Sequence, residues 1–283
     1  MSKQWSIPMK NHPITHLVTT LRVTVSAAVS LFVLTALVAQ AQTNLIVNGS
    51  FEAGPDGQNQ FTYWPLVAGS DGNSDYGVAT ATGGYELAEQ GTNYAYFRGH
   101  PTDSSQDCLG QYVTLTVGAL YHISYWMGTD GPLTNGAAMW AQIGVDYGLS
   151  SRDVPLPTFF PHSATALPYQ EFSTNWIATN SYPIISFHGV NATNGLPVTN
   201  SILLDNVSMV LTYPPLKSAY SQPNSFVFTW PYTNSPYRLQ SCTSLLSANW
   251  TTLTNVPANV GSSNQITLTI STNRSLFYRL TLP

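Results

Sequence analysis

Charge is what this chain has least of: Asp, Glu, Lys and Arg together make up 8% of its 283 residues. The few charges are also unevenly placed. All 13 acidic residues lie from Glu52 to Asp205, where only Arg98 and Arg152 oppose them, whereas Lys217, Arg238, Arg274 and Arg279 follow with no carboxylate at all. No basic stripe exists in the acidic part, and phosphate contacts need clustered Lys and Arg, so nucleic-acid binding is excluded. Cysteine is nearly absent too. Cys108 and Cys242 are the only two, too few for a disulfide framework although export would permit a bridge between them, and neither sits at a metal-ligand spacing.

Catalytic signatures are missing as well. His100, His122, His162 and His188 are scattered, with no nucleophile elbow and no metal-binding His pair. Glu86 and Glu89 are the closest carboxylates, but a short polar stretch does not set two acids across a sugar as a glycosidase requires. The expectation is therefore a non-enzyme.

One long apolar run is present, from Ala27 to Ala39, after a polar stretch carrying Lys3, Lys10 and Arg22. It is shorter than the ~20 residues of a membrane span and ends in Ala39-Gln40-Ala41, small-x-small, so residues 1–41 read as a signal peptide. A retained N-terminal anchor is the alternative. No later segment is apolar enough to span a bilayer, which predicts a secreted or cell-surface protein without a membrane span in its mature part.

Helical periodicity is almost absent, and short alternating runs take its place. Gln111 to Val117 sets Val113, Leu115 and Val117 on one face; after Gly118-Ala119, Tyr121, Ile123, Tyr125 and Met127 alternate with His122, Ser124 and Trp126, which reads as a hairpin. Further strands are expected at 44–48, 93–98, 139–146, 172–179, 183–188 and 202–211, with 149–168 as a long ordered loop. The fold class expected is all-β: an antiparallel jelly-roll sandwich over 42–213 with adjacent first and last strands, then a small second β domain over 214–283 beginning near Pro214-Pro215.

Two motifs carry the candidate chemistry, Asn44-Leu-Ile-Val-Asn-Gly-Ser-Phe-Glu52 and Leu203-Leu-Asp-Asn-Val-Ser-Met209. Strand alternation puts Asp205 on the face of Leu203, Val207 and Met209, toward the core, where an unpaired charge costs several kcal/mol. A cation would relieve it. Glu52 supplies a second hard oxygen ligand, so a structural Ca²⁺ shared by Glu52 and Asp205 is expected, the alternative being that Asp205 caps backbone N–H groups. The loop Asp71-Gly-Asn73-Ser-Asp75-Tyr-Gly77 has the alternating oxygen side chains of a second candidate cation site, but its late glycine and Thr82 at position twelve exclude an EF-hand, and the polar turn is the preferred reading.

The chain resembles the galactose-binding-like jelly rolls of carbohydrate-binding modules (families four, nine and twenty-two) and a secreted plant cell-wall family named as a domain of unknown function. The resemblance covers about residues 44–212 and rests on Asn44-Leu45, Asn48-Gly49, Phe51-Glu52, Trp64, Gln111, Val113, Gly118, Tyr121-His-Ile-Ser-Tyr125 and Leu204-Asp205-Asn206-Val207. It implies a structural Ca²⁺ on Glu52 and Asp205, with one departure: the modules often carry two acids where this chain has Asp205-Asn206. It implies too that polysaccharide or glycan is the partner.

Flat aromatic rings beside amides are what a sugar needs, since rings stack on pyranose C–H faces while polar neighbours fix the hydroxyls. Trp126, Trp140, Gln142 and Tyr85 are the candidates for that role, unless strand parity is reversed and the tryptophans are buried. Trp64 is expected in the core. The C-terminal part, with Phe228-Thr-Trp230, Tyr237-Arg-Leu-Gln-Ser241, Asn249-Trp250 and Phe277-Tyr-Arg-Leu280, resembles small terminal modules of secreted proteins of Verrucomicrobia-type bacteria, and Arg279 alternates to the solvent side. The competing reading is a structural or adhesive surface protein that binds another protein, with this C-terminal domain as a candidate contact.

Overall fold

The computed structural model describes residues 43–58, 61–68, 75–81, 88–98, 107–133, 137–145, 154–190, 200–222, 225–231, 235–244, 249–269 and 276–283. Among these there is no helix, and every strand pairing is antiparallel. The first eleven strands are β1 (Gly57–Gln58), β2 (Leu66–Ala68), β3 (Asp75–Thr80), β4 (Asn93–Arg98), β5 (Asp107–Tyr112), β6 (Leu120–Thr129), β7 (Ala138–Gly144), β8 (Val154–Pro155), β9 (Gln170–Ile177), β10 (Ile184–Val190) and β11 (Ser201–Thr212). They form a six-stranded sheet, β1-β3-β4-β11-β6-β9, and a five-stranded sheet, β2-β5-β10-β7-β8.

Alternation explains how the two sheets face each other. Tyr121, Ile123, Tyr125 and Met127 of β6 are buried toward Leu109 of β5, Ile185 and Phe187 of β10, and Met139, Ala141 and Ile143 of β7. Tyr125 meets Phe187 edge-on at 5.1 Å across the gap. Trp64 is 1% exposed, stacked on Phe51 and edge-on to Phe187, the core position expected of it.

Two local expectations change. The run from 111 to 127 is not a hairpin: β5 ends at Tyr112, the chain crosses through 113–119, and β6 belongs to the opposite sheet. The crossing segment still bonds to its old side, Val113 N–H to Pro183 O and Leu115 N–H to Ser181 O, so its alternation looked like strand. The opening segment 44–50 is turns rather than strand; Asn44 Oδ1 accepts from Met209 N–H and Leu45 N–H donates to Met209 O, so it is tied to β11 without a ladder. Buried Gln111 completes the tie by accepting from Val47 N–H and donating to the carbonyls of Val47 and Tyr63.

The remaining strands are β12 (Lys217–Gln222), β13 (Ser225–Pro231), β14 (Arg238–Cys242), β15 (Thr251–Thr252), β16 (Ala258–Val260), β17 (Ser263–Thr269) and β18 (Phe277–Thr281). They form the sheets β12-β13-β17-β16 and β15-β14-β18, and no described pairing joins them to β1–β11. Phe228, Trp230, Leu239, Tyr278 and Leu280 are buried between them. Contact with the first sandwich is nonetheless close: the buried apolar residues form one contiguous cluster, and the buried Tyr237 hydroxyl accepts from Leu120 N–H and donates to Thr212 O, both at 2.8 Å.

Candidate functional site

Two places in the first sandwich gather the candidate residues. The first is the loop at 88–93, which runs over the end of β11. Asp205 is fully buried, but by a different route from strand alternation: a bulge between Asp205 and Ser208, with Asn206 at φ 47°, switches the faces. Leu203 and Asp205 point away from the shared core, on the face of Trp126, while Val207 and Met209 return to it with Ile202 and Leu204. One extra residue in the strand undid the parity on which the core-facing reading relied.

The loop encloses both acids. Asp205 Oδ2 accepts from the N–H groups of Glu89 at 2.8 Å and Gln90 at 2.9 Å, and Oδ1 accepts from Asn206 N–H at 2.6 Å. Glu52 Oε1 accepts from Thr92 N–H at 2.8 Å and Asn93 N–H at 2.6 Å, and Oε2 from the Thr92 hydroxyl at 3.2 Å. Between the two pairs sits Gly91 at φ 75°, where a Cβ would lie 2.4 Å from Glu52 Oε1. Three backbone amides thus partner Asp205, as the capping alternative expects, while Glu89 adds a third carboxylate that accepts from Asn206 Nδ2.

The balance remains unfavourable to ionisation. Burial raises the Asp205 carboxyl from 3.8 to about 7; the Glu89 charge adds to the rise, and the amides at Gln90, Asn206 and Glu89 oppose it. Among the described residues no group of three or more His, Cys, Asp or Glu side chains is placed to hold a metal ion. Any ion here would combine two carboxylates with backbone carbonyls or water.

The second place is the outer face of the β5-β10-β7 strands. Because Met139, Ala141 and Ile143 face the core, Trp140 and Gln142 face away, and register sets Trp140 beside His188 and Gln142 beside Ser186. Across β10, His188 lies beside Cys108, with its Nε2 3.0 Å from Ser186 Oγ and 3.7 Å from Cys108 Sγ. Gln142, Ser186 and His188 are buried, forming a polar floor. Aromatic rings stand at its ends: half-buried Trp140 with exposed Phe160 edge-on at 6.4 Å, and Tyr112 stacked on exposed Tyr182 at 5.0 Å and 3°.

Trp140 and Gln142 are therefore brought together, and Trp126 is not with them. It is half-buried on the outer side of the other sheet, opposite Asp205 and Glu171 in register. Tyr85 and Glu86 lie outside the described residues, as do 71–74 of the second candidate cation loop, whose remainder, Asp75 to Gly77, starts β3. Ser186, His188, Tyr112 and Tyr182 were not singled out from sequence, although Ser186 and His188 alternate with Ile185 and Phe187 clearly enough to have marked a polar face. Cys108 and Cys242 are buried and not bonded to each other. No described helix is long and apolar enough to cross a membrane.

No family model matches the chain, and no curated protein matches it. Solved structures similar to it include a family 61 carbohydrate-binding module in complex with β-1,4-galactotriose, with 20% identity and a TM-score of 0.43 over 60% of this chain and 99% of that one. A family 16 carbohydrate-binding module has 18% identity and a TM-score of 0.39 over 59% and 99%. The K2 cleaved adhesin domain of Lys-gingipain has 14% identity and a TM-score of 0.42 over 58% and 96%. The likeness to carbohydrate-binding modules and adhesin domains concerns the all-β architecture.

Proposed function

We propose that the chain is an exported, non-catalytic carbohydrate-binding protein whose glycan site is the outer face of β5, β10 and β7. The observation that carries this reading is the polar floor of Gln142, Ser186 and His188 between the Trp140–Phe160 and Tyr112–Tyr182 ring pairs. Exposed and half-buried rings on one face with buried amide, hydroxyl and imidazole groups are the two kinds of group that sugar recognition combines, apolar stacking and hydroxyl fixation. A glycan array probed with the chain from residue 42 onward tests it. Binding to a coherent set of glycans is expected; an array without signal, alongside capture of a protein partner, would favour the structural or adhesive alternative.

A structural Ca²⁺ on Glu52 and Asp205 belongs to the same proposal. Each carboxylate meets three donors and offers about four acceptor positions, so each keeps room for one more contact. The donor set is all oxygen, as Ca²⁺ prefers, and no Lys or Arg is bonded to Glu52, Glu89 or Asp205 among the described residues. The ion would supply positive charge where the opening segment meets β11. A division into modules at 42–213 and 214–283 is supported by the separation of their sheets, with Tyr237 coupling the two.

A further inference from the structure

The sheet β15-β14-β18 buries Leu239, Tyr278 and Leu280 on one side, so Arg238, Gln240, Arg279 and Thr281 occupy the other. Gln240 is directly opposite Arg279 on one flank and Thr252 on the other; Arg238, opposite Thr281, is the diagonal neighbour of Arg279. These side chains form a fixed chain of contacts. The Arg279 guanidinium carbon lies 4.3 Å from the centre of the Trp250 ring, and its Nε donates to Gln240 Oε1 at 2.9 Å. Gln240 Nε2 donates in turn to Thr252 Oγ1 at 3.0 Å.

The Trp250 ring and the Nε bond to Gln240 hold the half-buried guanidinium from two sides, and among the described residues neither Nη group has a hydrogen-bond partner. That is a fork prepared for an oxyanion. No Asp or Glu follows Asp205 anywhere in the sequence, so nothing in this part of the chain competes for it. The rest of the face is uncharged: the Gln240 amide and the Thr252 and Thr281 hydroxyls, with Trp250 beside Arg279 and the Cys242–Phe277 pair at one end. We propose that this face binds an acidic polysaccharide, with a carboxylate or sulfate group on Arg279, a second contact from Arg238, and sugar hydroxyls on Gln240, Thr252 and Thr281. Sparse positive charge among hydroxyl-bonding groups suits sparse anions on a hydroxyl-rich polymer better than the dense charge of a nucleic acid.

Affinity electrophoresis of the full chain in gels containing polygalacturonate, dextran sulfate or neutral dextran tests the site, and the two anionic arms tell a carboxylate from a sulfate. Retardation is expected in at least one anionic gel and not in dextran. Arg279→Gln and Arg238→Gln should each weaken it about tenfold, the scale of a lost charge-assisted contact. Arg279→Lys should weaken it too, because an ammonium keeps the charge but not the fork. Arg238 is exposed, so its variant keeps the test valid should Arg279→Gln melt early. Absence of retardation in both anionic gels, or retardation unchanged in both glutamine variants, overturns the proposal. It is equally overturned if sedimentation shows self-association that Arg279→Gln abolishes while neither gel retards the protein, since the partner would then be the acidic part of a second copy.

Discussion

Asp205→Asn removes one charge from a site whose energetics are legible in detail. The folded carboxyl, raised from 3.8 to about 7, holds its proton between about pH 4 and 7 while the unfolded chain releases it. Stability must therefore fall as pH rises through that window, by roughly 4 kcal/mol in all if the rise of about 3 pKa units is taken at 1.36 kcal/mol each. Asparagine cannot titrate, so the variant lacks this slope. It has its own cost: with its oxygen on the two loop amides, its NH₂ faces Asn206 N–H, two donors opposed, worth about 1–3 kcal/mol. In chelator, urea melts should find the variant less stable than wild type near pH 4, before the slope sets in, and as stable as wild type or more so above pH 7, where wild type has lost about 4 kcal/mol. Saturating calcium would hold the carboxylate ionised and flatten the wild-type slope; at a hundredfold excess over its dissociation constant it would add about 2.7 kcal/mol, little of which the variant should gain. Parallel pH slopes for the two proteins in chelator would refute the reasoning about Asp205, and equal calcium shifts would refute the shared ion.

Tyr237→Phe should destabilise by about 2–4 kcal/mol, because it strands the buried Leu120 N–H and the Thr212 carbonyl together, and urea melts followed by far-ultraviolet circular dichroism would measure it. The same variant should separate the unfolding of the two sheet pairs into distinguishable steps; an unchanged single transition would contradict the coupling. Gly91→Ala, at φ 75° with its Cβ directed into Glu52, should lower stability by about 2 kcal/mol or more and weaken any calcium-dependent shift in melting temperature.

The elements legible in sequence were those whose alternation is undisturbed. β4, β7, β9 and β10 lie within a few residues of expectation because one face of each is apolar, and β11 is found at its expected place although a bulge breaks its alternation. The misreadings share a cause, which is that sequence period records side-chain direction and not hydrogen-bond partner. Val113 and Leu115 alternate in and out while crossing between sheets, and Asn44 substitutes its side chain for a ladder. Asp205 shows the sharper limit: its burial was foreseeable and its face was not, since the bulge at Asn206 has no signature in Leu203-Leu-Asp-Asn-Val. The amide cradle at 89–93 was equally hidden, because it is made of main chain. Trp126 and Trp140 were grouped because both alternate outward, but outward from two different sheets is not one groove.

Titration of a glycan identified on the array against Trp140→Ala and Trp126→Ala bears most directly on the claim that the outer face of β5, β10 and β7 is the binding site. Loss of a ring that stacks on a pyranose should cost about 1–3 kcal/mol, so Trp140→Ala should weaken binding roughly tenfold or more while Trp126→Ala leaves it within twofold of wild type. The reverse pattern, or no loss in Trp140→Ala with melting unchanged, would contradict it.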